Sequence, residues 1–367
     1  MKVVFLIYSS TPKSGGGHFY SLSHITSALE DVIEYKIVNI GYVLAGPLTS
    51  NAKTIFHKVS KRTFLFDFIK LYYVIRKLNP DILHAFDSKS LFVARSLSIF
   101  SNTRIIFTKC GGPNGSAFIP AVDTTIFFSK ENWDHAHMFD SYGGKKLLIP
   151  NRVKQSTIDH DFCESFLVNY NLRDVPILMR ISRFNPYYER TFFQTLALAG
   201  VLCKDIPDLA VVIVGSVQSE SFYLKFKEHI ATLSFRIILV TEEKFTLQAS
   251  RLLPLAKVVV ATGRGVMEAC SFGKIVFCPV MNSDFPVKLT RRTFKTLFEF
   301  NFSERMIIDY STALSESLLD EEDTKYFFDK HFDANVCGRL YSIVYDELKK
   351  TEFATINYLQ HAIRFFK

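Results

Sequence analysis

The segment 261–269 combines glycines with a permanent positive charge, directly after an apolar run that ends at Val260. Glycines let a backbone come close to a ligand, and an arginine beside the first amides of a helix favours an anion. The pattern therefore predicts a phosphate site at the start of a helix. The residues assigned to this site are Thr262, Gly263, Arg264, Gly265 and Val266.

Glu268 belongs to the same segment and is predicted to lie in the first turn of that helix. A carboxylate can accept two hydrogen bonds from a vicinal diol such as a ribose, so one helix could hold the phosphate and the sugar of a single nucleotide. The alternative is that Glu268 only complements the positive end of the helix or closes a capping arrangement.

Two arginines follow another predicted strand, Ile177–Ile181, and both are candidate catalytic residues. Arg183 stands just beyond the strand, and Arg190 lies one to two turns into the next helix. Asn185 can cap that helix and Pro186 suits its first turn. Two arginines that converge on a pyrophosphate would neutralise the charge of a leaving nucleoside diphosphate. They could instead be solvated surface side chains.

The N-terminal half has a glycine-rich turn of its own, Ser14–Gly17, between the first predicted strand and a helix. Its spacing is not that of an ATP-binding P-loop. Gly16 and Gly17 could still bring backbone amides to the same anionic ligand, so both are assigned to it. A flexible turn without a ligand is the alternative.

Two further loops follow strands of the N-terminal half. His84 and Asp87 could hydrogen-bond a sugar hydroxyl, and His84 is assigned a catalytic role, with a structural histidine as the equal alternative. The glycine-rich loop 109–115 allows close backbone approach to an acceptor molecule. Its assigned acceptor-side residues are Lys109, Gly111, Gly112 and Asn114.

Short β-rich runs alternate with longer helical segments in both halves, which is typical of parallel sheets covered on both faces. In such sheets ligands bind beyond the carboxyl ends of the strands, where the residues above are placed. An α/β protein with two Rossmann-like domains facing across a cleft is predicted. The predicted strands are Val3–Tyr8, Tyr35–Ile40, Ile82–Phe86, Arg104–Thr108, Thr125–Ser129, Lys146–Ile149, Ile177–Ile181, Ala210–Val214, Arg236–Val240, Lys257–Val260 and Ile275–Cys278.

A chain of 367 residues has room for about two domains. The polar segment 151–166 is interpreted as a linker, so we expect an acceptor-side domain over 1–150 and a ligand-binding domain over 151–350. A last helix within 351–367 could pack back on the first domain. The other predicted helices are Phe19–Leu29, Thr54–Arg76, Ser90–Phe100 and Glu131–Phe139.

The formal net charge of +8 is concentrated between Lys53 and Lys77, where seven basic residues accompany one acidic residue and many apolar side chains. A basic, aromatic, amphipathic segment of this kind is typical of helices that lie on an anionic membrane surface. An ordinary helix pair that packs on a sheet is the alternative. Nucleic acid is a weaker partner, because no motif that reads DNA or RNA accompanies the charge.

Hydrophobic residues make up 48% of the chain and charged residues 22%, which excludes a disordered or low-complexity protein. The six cysteines are far apart, so neither a disulfide framework nor a zinc knuckle is indicated, and a reducing cytoplasm is expected. The apolar start, Val3–Tyr8, is too short for a secretory signal or a membrane span.

Five segments together resemble the retaining family 4 glycosyltransferases of the GT-B fold, over most of the chain. They are the glycine loop Ser14–Gly17, the interdomain segment Ile149–Asn151, the strand end Ile181–Arg183, the strand Val212–Gly215 and, most specific, the helix Glu268–Lys274. In that family the C-terminal domain holds most of a nucleotide sugar. A basic pair and helix amides bind its diphosphate, and the second Glu of an E-x7-E motif binds its ribose. Glu268 matches that second Glu.

Three positions depart from the pattern of the family. Val260 stands where the motif has its first Glu, and Cys110 where a histidine is usual. Tyr188 replaces the lysine of the basic pair, which leaves Arg190 as the nearest substitute. The resemblance therefore implies a divergent branch that keeps nucleotide binding.

The resemblance implies a cytoplasmic hexosyltransferase at the membrane face, which moves a sugar with retention from a nucleoside-diphosphate sugar to a glycan. The glycan is expected to be lipid-linked and to serve surface polysaccharide synthesis. No metal or other cofactor is expected, because arginines and helix amides can supply the positive charge. Two alternatives stay open: a nucleotide-sugar epimerase on the same fold, and a non-catalytic nucleotide-binding partner of a transferase complex.

Overall fold

The chain divides into two compact units in the structure, which is a computed structural model. The first unit consists of Met1–Lys154 and the segment that begins at Ala334, and the second is Gln155–Asp333. The residues that the structure describes are 1–9, 16–60, 62–99, 101, 103–114, 119–138, 144–155, 157–308, 318–319 and 323–350, with Cys337 described by its backbone alone.

A parallel sheet in the strand order β3-β2-β1-β4-β5-β6-β7 forms the centre of the first unit. Central strands are buried on both faces, as the continuous apolar run Val3–Ile7 illustrates. The strands are β1 (Lys2–Ser9), β2 (Glu34–Gly41), β3 (Thr54–Lys58), β4 (Ile82–Ala85), β5 (Arg104–Lys109), β6 (Thr124–Phe127) and β7 (Lys145–Leu148). The helices between them are α1 (Gly17–Ala28), α2 (Phe64–Leu78), α3 (Ser88–Ser98) and α4 (Lys130–Met138).

The second unit has a sheet in the order β10-β9-β8-β11-β12-β13, in which only β13 is antiparallel to its neighbour. Its strands are β8 (Ile177–Ile181), β9 (Ala210–Val214), β10 (Ile237–Val240), β11 (Val258–Val260), β12 (Ile275–Cys278) and β13 (Val287–Lys288). Its helices are α5 (His160–Tyr170), α6 (Glu189–Asp205), α7 (Glu220–Ile230), α8 (Glu243–Thr246), α9 (Arg264–Ser271), α10 (Arg291–Glu299) and α11 (Thr324–Phe327).

The prediction of two Rossmann-like α/β domains is confirmed, and each predicted strand is present. The entry to α6 is confirmed as well. Pro186–Tyr188 forms a 3-10 turn, and the Asn185 side chain accepts a hydrogen bond from the Tyr187 amide at 3.0 Å.

Two predicted boundaries are wrong. The helix expected over Thr54–Arg76 is a strand, β3, followed by α2 from Phe64, because the β-branched run at Thr54 and Ile55 pairs as an edge strand with β2. The linker expected over 151–166 is shorter, since α5 begins at His160, where Asp159 caps it by accepting from the Phe162 amide at 2.9 Å.

The last described helix, α12 (Ala334–Lys350), belongs to the first unit, so the predicted domain 151–350 extends too far. Tyr341, Tyr345 and Leu348 are buried in the core of the first unit. Gly338 permits close approach to α1, because a Cβ atom there would lie 2.4 Å from the Ala28 carbonyl oxygen. The helix predicted over Ala354–Phe366 lies outside the described residues.

His84 is a core residue of the first unit, which corrects its assignment as a catalytic group. Its side chain is fully buried, with Nδ1 2.8 Å from the Tyr345 hydroxyl and Nε2 2.7 Å from Thr108 Oγ1. Both ring nitrogens are therefore occupied within the protein. Burial lowers the pKa of His84 to about 3, because the charged imidazolium would lose its water.

This burial predicts a specific loss of stability in acid. An unfolded histidine takes up a proton near pH 6.5 and His84 in the folded chain only near pH 3, so its stabilisation is present above pH 6.5 and is lost as the pH falls between these values. The unfolding free energy of the wild type should fall below pH 6.5 more steeply than that of His84→Gln, by about 1.4 kcal/mol per pH unit.

Urea denaturation over a pH series measures both slopes. His229→Gln replaces an exposed histidine of α7 and should keep the wild-type slope. Parallel curves for the wild type and His84→Gln would contradict the buried neutral histidine.

Candidate functional site

The strand order of the second unit reverses between β8 and β11, which are neighbours although two strands separate them along the chain. Such a reversal opens a crevice beyond the carboxyl ends of the two strands, and ligands of parallel α/β sheets bind there. Arg183 follows β8 and the loop 261–263 follows β11. The residues predicted to bind an anion thus share the end of the sheet where the topology favours a ligand.

The loop into α9 is held by its backbone. Gly263, the residue before the helix, has φ +54° and no side chain with which to cap the first helical amides. Its own amide donates to the Phe302 carbonyl at 2.9 Å. Asn301 and Phe302 also have positive φ angles, of 50° and 54°. The turn that contains them therefore fixes the position of the start of α9.

Glu268 and Arg264 face each other one helical turn apart, with Oε1 3.1 Å from Nη1. Glu268 is the fifth residue of α9 and not in its first turn as expected. It is 6% exposed, and burial raises the pKa of its carboxyl group while Arg264 opposes that shift. The two predicted ligands of one nucleotide are adjacent, and a ribose would share this carboxylate with Arg264.

Arg183 is exposed and is oriented by Tyr188. Its Nη2 donates to the Tyr188 hydroxyl at 2.6 Å, and its guanidinium carbon lies 5.5 Å from the centre of the tyrosine ring. Tyr188 stands at the position of the expected lysine. Tyr188 adds no positive charge, but its hydroxyl and ring restrict the orientation of the positively charged Arg183 side chain.

Arg190 and Arg183 have different hydrogen-bond partners. It donates from Nη1 to the Met281 carbonyl and from Nη2 to the Glu304 carbonyl, the latter at 3.1 Å. Its guanidinium therefore joins two loops of the second unit. Its assignment as the second phosphate-binding arginine stays a prediction.

Gly16 and Gly17 are at the start of α1 in the first unit, as predicted. Gly16 precedes the helix with φ −65°, and a side chain at Gly17 would contact nothing within 4 Å. Ser14 and Gly15 lie outside the described residues. That these glycines contact the ligand of the α9 segment stays a prediction.

The loop after β5 is held by hydrogen bonds from residues on either side of it in sequence. Gly111 and Gly112 have φ angles of +85° and +77°, and Lys109 Nζ donates to the Gly111 carbonyl. Asn132, from α4, donates to the Gly112 carbonyl at 3.2 Å and to Asn114 Oδ1 at 2.9 Å. The acceptor-side residues are therefore brought together in one ordered turn, and their contact with an acceptor stays a prediction.

Two features of the site were not predicted from the sequence. One is Arg180, which is buried in β8. The sequence does mark this residue, because Arg180 is the only charged residue of the apolar run Ile177–Ile181. The other is the turn at Asn301 and Phe302, which has no glycine to mark its positive φ angles.

Groups of three or more histidine, cysteine, aspartate or glutamate side chains that could bind a metal ion are absent from the described residues. Among the helices that the structure describes, none has both the length and the apolar character needed to cross a membrane. The five cysteines whose side chains are described are free thiols.

Comparison with solved structures establishes the fold. A glycosyltransferase from Rickettsia africae aligns with a TM-score of 0.67 and 16% identity, over 96% of this chain and 100% of the other. Anabaena HepE in complex with UDP and glucose aligns with a TM-score of 0.65 and 14% identity, over 95% of this chain and all of that chain.

The UDP-GlcNAc 2-epimerase from Methanocaldococcus jannaschii is similar too, with a TM-score of 0.55 and 13% identity over 94% of this chain and 99% of that chain. The chain has the GT-B fold, with two Rossmann-like α/β units. No protein-family model matches the sequence. No curated protein matches it either.

The conformation of Gly263 predicts different costs for two neighbouring substitutions. Gly263→Ala should lower the unfolding free energy by about 1–2 kcal/mol, because a Cβ atom is strained at φ +54°. Gly265→Ala, inside α9, should be neutral or stabilising by up to about 1 kcal/mol, since its Cβ would make only a 3.4 Å contact with the Ala261 side chain.

Urea denaturation of the two variants and the wild type measures the difference. Equal stability of both variants would contradict the left-handed conformation at Gly263. Gly265→Ala is the matched control, because it adds the same methyl group two residues away.

Proposed function

We propose that the protein is a retaining glycosyltransferase, which transfers a hexose from a nucleoside-diphosphate sugar to a glycan. The observation that carries the proposal is the arrangement of residues beyond the β8–β11 reversal of the second unit. The start of α9 with Arg264 and Glu268 lies beyond β11, and Arg183 lies beyond the neighbouring strand β8. Structures of similar fold include Anabaena HepE in complex with UDP-glucose.

Each group then has a distinct part in the reaction. Glu268 accepts hydrogen bonds from the ribose, and Arg183 with the amides of the loop into α9 binds the diphosphate. The bond between the anomeric carbon and the diphosphate oxygen breaks, and an acceptor oxygen forms a bond to the same face of that carbon. The acceptor proton passes to the leaving diphosphate, so no separate base is needed. Positive charge at the diphosphate stabilises this transition state.

An epimerase is the second candidate, because the similar structures include a UDP-GlcNAc 2-epimerase. An epimerase would act on the donor sugar without an acceptor and would need acids and a histidine beside it. The sequence assigns no histidine to that role, and His84, which was assigned a catalytic role, is enclosed in the core of the first unit. This geometry favours transfer.

Incubation with a panel of labelled nucleotide sugars, with and without membrane lipids, distinguishes the candidates. A transferase releases nucleoside diphosphate and labels an acceptor when lipid is present. An epimerase converts the donor without lipid. A donor that protects the protein from heat and is never turned over would indicate the non-catalytic partner instead.

The ribose assignment predicts a loss of donor affinity. Glu268→Ala should raise the dissociation constant of the bound nucleoside diphosphate at least about tenfold, because a charge-assisted contact of about 1.5–3 kcal/mol is removed. Isothermal titration calorimetry measures this dissociation constant for the wild type and the variant. Glu228→Ala removes an exposed glutamate of α7 and should leave the affinity unchanged.

A dideoxy analogue separates this contact from other effects. The wild type should bind the 2′,3′-dideoxy diphosphate about as weakly as Glu268→Ala binds the ribose form. If the variant loses as much affinity for the dideoxy analogue as for the ribose form, Glu268 does not bind the ribose.

We further propose that the acceptor is a lipid-linked glycan of surface polysaccharide synthesis, reached at the cytoplasmic face of the membrane. The support is the surface of α2 and the residues just before it. Leu71 and Ile75 face the core, whereas Leu65 and Phe66 are each 69% exposed. Other exposed residues of this α2 surface are Arg62, Phe64, Ile69, Lys70, Tyr73, Arg76 and Lys77. Apolar and basic side chains together suit an anionic bilayer.

This arrangement predicts two separable contributions to vesicle binding. Replacing Lys70, Arg76 and Lys77 by Ser should weaken flotation with anionic vesicles by about 1 kcal/mol per residue, and added salt should remove the difference. Replacing Leu65 and Phe66 by Ser should weaken it at any salt concentration.

Turnover of soluble donor should be unchanged in both variants. The double substitution Leu224→Ser and Lys227→Ser alters an exposed apolar and an exposed basic residue of α7, and should float like the wild type. Wild-type flotation of both α2 variants would rule out this surface.

A further inference from the structure

Arg180 is the fourth residue of β8 and is 1% exposed. Its Nη1 donates to the Val260 carbonyl at 3.2 Å, and its Nη2 donates to Thr191 Oγ1 at 2.9 Å. Val260 is the last residue of β11, immediately before the loop that leads into α9. The guanidinium therefore contacts the base of the loop on which the candidate phosphate site is built.

The positive charge of Arg180 has no close counter-ion in the described part of the chain. Its side-chain partners are a carbonyl and a hydroxyl oxygen, and its Nε has no hydrogen-bond partner. Glu304 attracts it only at longer range, and burial lowers the pKa of Arg180 to about 10, so it stays protonated at neutral pH. A buried charge without a partner is unfavourable, and an anion bound nearby would compensate it.

A series of hydrogen bonds connects Arg180 with the exposed end of the site. Thr191 Oγ1, which accepts from Arg180, donates to the Tyr188 carbonyl at 2.7 Å. The hydroxyl of the same tyrosine accepts from Arg183. Arg180 thereby supports the residue that orients the exposed arginine.

The lysine expected to add a second positive charge at the diphosphate is absent from this chain. Tyr188 occupies the position of the expected lysine, and the guanidinium of Arg190 is bound to two backbone carbonyls. Arg180 carries a further positive charge and links the two strands of the β8–β11 reversal.

We propose that Arg180 is a positioning residue that adds a positive charge for the donor diphosphate from inside the unit. It acts on the diphosphate across the loop 261–263 and through Tyr188, without touching it. The interior of a protein screens charge far less than water does, so a buried guanidinium stabilises a nearby anion without direct contact. The inference rests on the proposed function, because it needs a diphosphate ligand at the start of α9.

The test compares ligands that differ only in phosphate. Calorimetry with UDP, GDP, ADP, CDP and dTDP identifies the diphosphate that the wild type binds, and its nucleoside and monophosphate are then titrated. Arg180→Gln and Arg180→Met should lower the affinity for the diphosphate at least tenfold, the monophosphate less, and the nucleoside by less than twofold. Arg180→Lys, which keeps the charge, should retain most of the diphosphate affinity.

Two further variants separate charge from packing. Thr191→Val breaks the two hydrogen bonds of the Thr191 hydroxyl and leaves the charge of Arg180, so it should cost less diphosphate affinity than Arg180→Gln. Arg95→Met removes a buried arginine of α3 in the first unit and should leave all affinities unchanged. If Arg180→Met does not fold, the comparison of Arg180→Gln with Arg180→Lys shows whether the charge of Arg180 contributes to diphosphate affinity.

A uniform loss of affinity for nucleoside and diphosphate would mean that Arg180 only maintains the structure, and it would overturn the inference. Unchanged diphosphate affinity in the Gln and Met variants would overturn it as well and leave the proposed function intact. A folded wild type that binds none of the five diphosphates would overturn the proposed function together with this inference.

Discussion

The adjacency of β8 and β11 is the constraint on which the candidate site depends. It places the loop that leads into α9 beside the residues that follow β8. Contacts of those residues with β9 and with Gly215, the residue after it, set the direction in which the backbone leaves the sheet. The Ser182 amide donates to the Val214 carbonyl at 3.0 Å. A Cβ atom on Gly215 would lie 1.8 Å from the Ser182 carbonyl oxygen, so a glycine is required there. The backbone of β8 and β9 thus directs Arg183 away from the sheet.

Much of the fold could be predicted from the sequence, because strands buried on both faces are continuous runs of apolar and β-branched residues. Ile177–Ile181 and Ala210–Val214 have the predicted bounds. The edge strand β3 could not be predicted with equal ease. Phe56 and Lys58 are exposed there, and the apolar residues of α2 follow within a few positions, so strand and helix merge into one amphipathic pattern.

The parts of the candidate site that depend on local backbone features could be predicted from the sequence. The parts that depend on side-chain partners distant in sequence could not. Gly263 before α9 and the one-turn spacing of Arg264 and Glu268 can be read from the local sequence. The partners of Arg190 and His84 cannot, because they come from residues distant in sequence, such as Glu304 and Tyr345. Sequence spacing cannot distinguish an arginine that binds phosphate from one that binds carbonyl oxygens.

The return of α12 to the first unit has a consequence for the order of folding during synthesis. The second unit is a continuous insertion, and its two ends meet where the Ala334 amide donates to the Val153 carbonyl at 3.0 Å. On the ribosome, residues 155–333 emerge before the helix that covers the first sheet, so the inserted unit can reach its native state while its host is incomplete. The hydroxyl of Tyr345 can reach His84 only late in translation, and until then the first unit lacks the apolar side chains that α12 adds to its core.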